Sequence, residues 1–182
     1  MAPPDRLIRH IAVVGLMGSG KSSVGSRIAA TLGWPLRDSD VEIEAHEGRT
    51  VRELRESLGT AAMHALEARQ LLDALAAPGH SVVCPAAYVA DDDGCLAALA
   101  GPEVAVVFVT VDPTIAATRF APGDHRPWYG SDPVVFLAAQ AATRYPRFRS
   151  LNPVELATDN HTPDELAALA LEQLAARGVR WA

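Results

Sequence analysis

The chain has 182 residues, 49% of them hydrophobic, with 16 Lys and Arg against 22 Asp and Glu for a net charge of −6. That length suits one well-buried domain and is short for two, and an acidic balance without any basic block argues against nucleic acid or an anionic membrane as the main partner. No apolar run approaches the ~20 residues of a membrane-spanning helix, the stretch MAPPDRLIRH lacks a signal-peptide core, and Cys84 and Cys95 lack metal-site spacing, so a cytoplasmic monomer or weak dimer is expected.

Ile8 to Val14 (IRHIAVV) is a short, β-branched run of the kind a buried parallel strand requires. It leads into Gly15-Leu16-Met17-Gly18-Ser19-Gly20-Lys21-Ser22, which fits G-x-x-x-x-G-K-[ST] at every fixed position. Glycines let such a loop curl until successive N–H groups point at phosphates; Lys21 reaches the β- and γ-phosphates, and the Ser22 hydroxyl is a Mg²⁺ ligand. Val24, Ile28 and Leu32 then recur four apart, so a helix opens with its N-terminus toward the anion. Gly15, Gly18, Ser19, Gly20, Lys21, Ser22 and Ser23 are the expected contacts to ATP.

Pro35-Leu36-Arg37 is a strand-like lead into Asp38-Ser39-Asp40. Ligands bind beyond the carboxyl ends of parallel strands, which sets these aspartates beside the nucleotide, one to hold Mg²⁺ or its waters and the other to take a proton from an attacking hydroxyl. Val41 to Ala45 continues as a short helix broken at Gly48. Thr50-Val51-Arg52-Glu53 is a capping box, after which Val51, Leu54 and Leu58 share a helical face. Thr60 to Ala77 is helical by propensity, with His64 and Glu67 as neighbours on one face.

Ser81 to Cys84 is a short buried strand closed by Pro85-Ala86-Ala87, because proline has no N–H for the ladder; Cys84 reads as a small buried hydrophobe. Asp91-Asp92-Asp93 reads as a solvated helix start, Val104 to Val111 as the clearest buried strand, and Asp112-Pro113 as the cap of a helix through Thr118. Arg119 to Gly130 (RFAPGDHRPWYG) has the make-up of a lid, whose Arg126 brings a guanidinium to a transferring phosphoryl group. An apolar helix from Asp132 to Thr143 precedes Arg144-Tyr145-Pro146-Arg147-Phe148-Arg149, read as an anion pocket for a small substrate. Val154 to Ala157 is a last strand, and Thr162-Pro163-Asp164-Glu165 caps the final helix.

The loop, the Asp-x-Asp, the Arg126-Pro127 lid and the Arg144-x-Pro146 segment, in that order, make the chain resemble shikimate kinase, a small phosphate-loop kinase family, from Ile8 to the final helix. The resemblance implies an α/β three-layer phosphate-loop NTPase fold, with a five-stranded parallel sheet of order 2-3-1-4-5 and helices on both faces. It also implies one kinase domain with a helical substrate-binding part near residues 41–75, a mobile lid near 119–130, ATP, Mg²⁺ and a small hydroxyl substrate. Position by position, it puts Asp38 near Mg²⁺, Asp40 on the substrate hydroxyls and as base, Arg126 on phosphate and substrate, Arg144 on the substrate carboxylate, and Arg119 against adenine. The expected catalytic set is Lys21, Asp40 and Arg126; Asp40, His64, Arg126 and Arg144 contact substrate, and Ser22 and Asp38 hold the metal.

Two departures touch the acceptor. Met63-His64 stands where the family has Phe-Arg, and Pro85-Ala86-Ala87 where it has Gly-Gly-Gly. Histidine does not reproduce a bidentate, permanently charged guanidinium, proline removes a donor, and alanine adds Cβ bulk. The expected function is an ATP-dependent small-molecule kinase of shikimate kinase type acting on a small polyol or hydroxy acid. True shikimate kinase activity and a catalytically silent nucleotide-binding module are the alternatives; a nucleotide or gluconate kinase shares the loop but explains Arg144-x-Pro146 less well.

Overall fold

The computed structural model describes residues 6–119 and 132–181. Its main sheet contains β1 His10–Val14, β2 Leu36–Asp38, β3 Ser81–Cys84, β4 Val104–Thr110 and β5 Val154–Ala157. In these labels the order across the sheet is 2-3-1-4-5 and every pairing is parallel, with His10 opposite Ser81 on one side and Val104 on the other. A separate two-residue parallel pairing joins Arg6–Leu7 to Val179–Arg180. The helices are α1 Lys21–Leu32, α2 Ser39–Glu47, α3 Val51–Leu58, α4 Thr60–Ala76, α5 Asp93–Leu99, α6 Pro113–Arg119, α7 Pro133–Arg149 and α8 Pro163–Ala176.

Strand periodicity divides the core into two layers. Ile11 and Val13 of β1 point to one face, where Val24 and Ile28 of α1 and Leu166 and Ala170 of α8 cover them. Ala12 and Val14 point to the other, against Leu71 of α4, Leu99 of α5 and Phe148 of α7. With both faces covered, the inner strands β1, β3 and β4 are buried along almost their whole length, while the edge strand β5 alternates buried and exposed residues. None of the helices among the described residues is long and apolar enough to cross a membrane.

Because the strands run parallel, β1, β2 and β3 end on the same edge. The phosphate loop, Asp38 and Pro85 all leave the sheet there. Beside that edge α2, α3 and α4 pack around Ile43, Val51, Leu54 and Met63. The Thr50 capping box is formed in both directions: Glu53 N donates to Thr50 Oγ1 at 3.2 Å and Thr50 N to Glu53 Oε2 at 2.8 Å. Thr162 and Glu165 repeat it at the start of α8.

Two sequence expectations need correction. The helix expected over Asp132 to Thr143 does not stop there; Asp132 caps it, accepting from Val134 N at 2.8 Å, and it runs through Pro146 to Arg149. Local signals favour a break at proline, but Tyr145 and the fully buried Phe148 pack on Phe108 with ring centroids 5.0 and 5.3 Å apart, which holds the last turns in helix. The aspartate run is also more than a solvated start. Asp92 caps α5 by accepting from Cys95 N at 2.8 Å, while Asp91, ending a 3-10 turn over Ala87–Asp91, and Asp93 pair with arginines of α7.

Candidate active site

The phosphate loop joins β1 to α1. Gly18 and Gly20 hold φ of +76° and +86°, a region that side-chain-bearing residues rarely adopt, and Gly20 is the N-cap of α1. Lys21 opens the helix and is only 8% exposed, so its charge acts in a medium that screens it weakly. Ser19 is fully buried, and its Oγ has no hydrogen-bond partner among the described residues. Ser22 Oγ donates to Asp38 Oδ2 at 2.6 Å, and Asp40 N donates to Asp38 Oδ1 at 3.1 Å. Asp38 is therefore both the cap of α2 and the contact between the loop and the second strand.

A cavity of about 290 Å³ opens beside Lys21. Its charged lining is Lys21, Asp40, Arg55, Glu67 and Arg144, with His64, Tyr88, Ala86 and Ala87 on its walls. The structure thus brings Asp40, His64 and Arg144 together as expected from sequence. The expected lid beyond Arg119, Arg126 included, lies outside the described residues. Arg119 ends α6, donating to Thr158 Oγ1 at 3.0 Å and Thr158 O at 3.3 Å; one turn earlier, Ala116 carries the carbonyl that lies against Gly18.

The arginines after Thr143 do not act together. Arg147 pairs with Asp93 and Arg149 with Glu155, so of the three only Arg144 lines the cavity. It is gripped by Asp91 Oδ2, at 2.9 Å from Nε and 2.6 Å from Nη2, and by Gln140 Oε1 at 2.7 Å.

His64 stacks on Tyr88 with centroids 3.6 Å apart and planes 10° from parallel. Burial first, then the charges of Arg55 and Arg144, hold its pKa below the ordinary histidine value. Burial pushes the Glu67 carboxyl up to about 7, against the opposing pull of Arg55, whose Nη2 lies 3.7 Å from Glu67 Oε1.

Sequence reasoning passed over Arg55, Tyr88 and Asp91. Arg55 was within reach: the capping box fixes the phase of α3, and one turn past the buried Val51 stands a charged residue on that same face. Nothing local points to Asp91, whose partner is 53 residues away.

A family model described as shikimate kinase matches residues 17–175. A shikimate kinase of Caulobacter vibrioides is 37% identical over 141 residues, 77% of this chain and 70% of that protein. One of Thermobifida fusca is 36% identical over 172 residues, covering 93% of this chain and 98% of its own length. Among solved structures, the shikimate kinase of Acinetobacter baumannii in complex with shikimate superposes with a TM-score of 0.86 at 24% identity, covering 93% of this chain and 94% of that one. With the phosphate loop, the sheet order and these relatives in agreement, the chain belongs to the shikimate kinase family, ATP-dependent phosphotransferases with a hydroxyl acceptor.

Proposed function

We propose that this chain, acting as a single cytoplasmic kinase domain, transfers the γ-phosphoryl group of ATP to a hydroxyl of a small cyclic hydroxy acid, shikimate or a near relative. The observation that carries this reading is that Lys21 and Asp40 line one cavity with Arg144. Asp40 sits in the first turn of α2, its backbone fixed by Asp38, where its carboxylate orients the acceptor hydroxyl and takes its proton as the oxygen attacks. Lys21 meets the negative charge that develops on the transferring group, and Arg126 joins it from the lid. The N–H groups around Gly15, Gly18 and Gly20 cradle the phosphates, with Ser19 and Ser23 beside them, and Arg119 lies along the adenine side.

Ser22 and Asp38 fit Mg²⁺. They are hard oxygen donors already brought to 2.6 Å of one another, and such an ion takes few protein ligands beside phosphate and water. When bound, the ion neutralises phosphate charge. Arg144 receives the acceptor's carboxylate, and His64, held neutral, offers the acceptor a hydrogen bond rather than a charge.

A coupled ADP-release assay over a panel of cyclic hydroxy acids, sugars and polyols tests the proposal. Turnover of shikimate or a related acid, abolished by Lys21→Met, is the expected result. Tight ATP binding with no acceptor in the whole panel would overturn it in favour of a nucleotide-binding module.

A further inference from the structure

Arg144 faces the cavity from α7, and a second guanidinium, that of Arg55, faces it from α3. His64 is the residue at the α4 position where the resemblance places an arginine, but its ring lies flat on Tyr88 and presents a wall instead of a charged fork. Arg55 reaches the same space from the preceding helix. Its side chain is 16% exposed, well withdrawn from water, and both its charge and that of Arg144 bear on the His64 ring. The phase of α3 is what aims it: Thr50 caps the helix, Val51 and Leu54 bury against Met63, and Arg55 follows one turn after Val51. Its Nη2 lies 3.7 Å from Glu67 Oε1, farther than a hydrogen bond, and a ligand carboxylate at hydrogen-bonding distance makes the stronger, charge-assisted contact.

We infer that Arg55 supplies the second guanidinium that holds the acceptor's carboxylate, presented from α3 where the family presents it from α4, with Arg144 holding the same group from α7. The inference rests on the kinase reading above and names the specificity of that site. An acceptor held this way is an acid; a neutral polyol or sugar of the same shape gains no charge-assisted bond from either guanidinium. Arg55 is a permanently charged planar fork, which a lysine ammonium does not reproduce.

The test pairs the best acid acceptor of the panel with its methyl ester, for the wild type, Arg55→Met, Arg55→Lys and the double variant Arg55→Met/His64→Arg. Turnover is followed by ADP release, and binding by calorimetry with a non-hydrolysable ATP analogue present. In Arg55→Met the KM and Kd for the acid rise roughly 30-fold or more, the loss expected when one partner of a buried charge pair is removed. Those for the ester and for ATP move by less than about threefold. Adding His64→Arg returns a guanidinium to α4 and recovers most of the loss, while Arg55→Lys falls between. An Arg55→Met protein that keeps the wild-type preference of acid over ester overturns the inference and leaves the kinase reading standing. A wild type that turns over no hydroxy acid overturns both. Should Arg55→Met fail to fold, Arg55→Lys, which keeps a cation beside Glu67, decides the matter: an unchanged acid-over-ester ratio in that variant overturns the inference.

Discussion

Glu67 is 5% exposed, and the charges around its carboxyl come from four elements: Arg55 on α3, Asp40 on α2, Lys21 at the start of α1 and Arg144 on α7. Burial dominates and raises its pKa from 4.5 to about 7. The folded state therefore holds this proton more tightly than the unfolded chain does. Its contribution to stability is complete below about pH 4.5 and is lost as pH rises through about 7, a difference of about 3 kcal/mol for a displacement of that size. Glutamine keeps the shape of the protonated carboxyl without the ionisation. Glu67→Gln should thus match the wild type near pH 4 and exceed it by up to about 3 kcal/mol at pH 8, read from urea unfolding at each pH; parallel curves would contradict the assignment. At this scale Lys21, Ser22, Asp38 and Asp40 were legible in the sequence because their geometry is local, fixed by a short loop and one strand end. Asp91 was not, because its place in the site depends on how the 3-10 turn and α7 pack on one another; for Arg55 the face of α3 was readable, but not what that face meets.

Most elements announced themselves by chemistry confined to a few neighbouring residues: β-branched runs for β1 and β4, Thr-x-x-Glu boxes for α3 and α8. The end of α7 did not, since Pro146 and the interleaved arginines read as an anion pocket beyond the helix until Phe148 and Tyr145 are seen to anchor on Phe108. That anchor has a functional reach. Arg144 lies one turn before Phe148, and its bonds to Asp91 depend on the helix continuing. Phe148→Ala should cost about 3–5 kcal/mol, a fall in Tm on the order of 10 °C for a chain of this length, and should raise the acceptor KM more than the ATP KM. Val135→Ala, on the same helix but 65% exposed, is the control and should stay within about 0.5 kcal/mol. Equal KM effects on both substrates would mean that the packing of α7 does not govern Arg144.

Across the whole molecule, five parallel strands deliver the phosphate loop, Asp38 and the β3 exit to one edge, so a ligand held there ties β1, β2 and α1 together at once. Ligand binding and global stability are then linked by mass action. A Mg²⁺–ATP analogue at about 100 times its Kd should add about 2.7 kcal/mol, roughly 5–10 °C in Tm for a domain of this size. If Ser22 and Asp38, 2.6 Å apart, hold Mg²⁺ as proposed, part of that gain belongs to the metal. Asp38→Asn keeps an oxygen that can still cap α2 through Asp40 N but loses the negative charge Mg²⁺ prefers. Its Tm without ligand should therefore change little, while the difference between the shifts measured with Mg²⁺ and with a chelator should shrink severalfold. If that difference is the same in Asp38→Asn as in the wild type, Asp38 is a helix cap alone and the metal is held by Ser22 and the phosphates. If it disappears, the carboxylate that starts α2 also holds the ion against the nucleotide, and the edge of the sheet binds donor and metal as one unit.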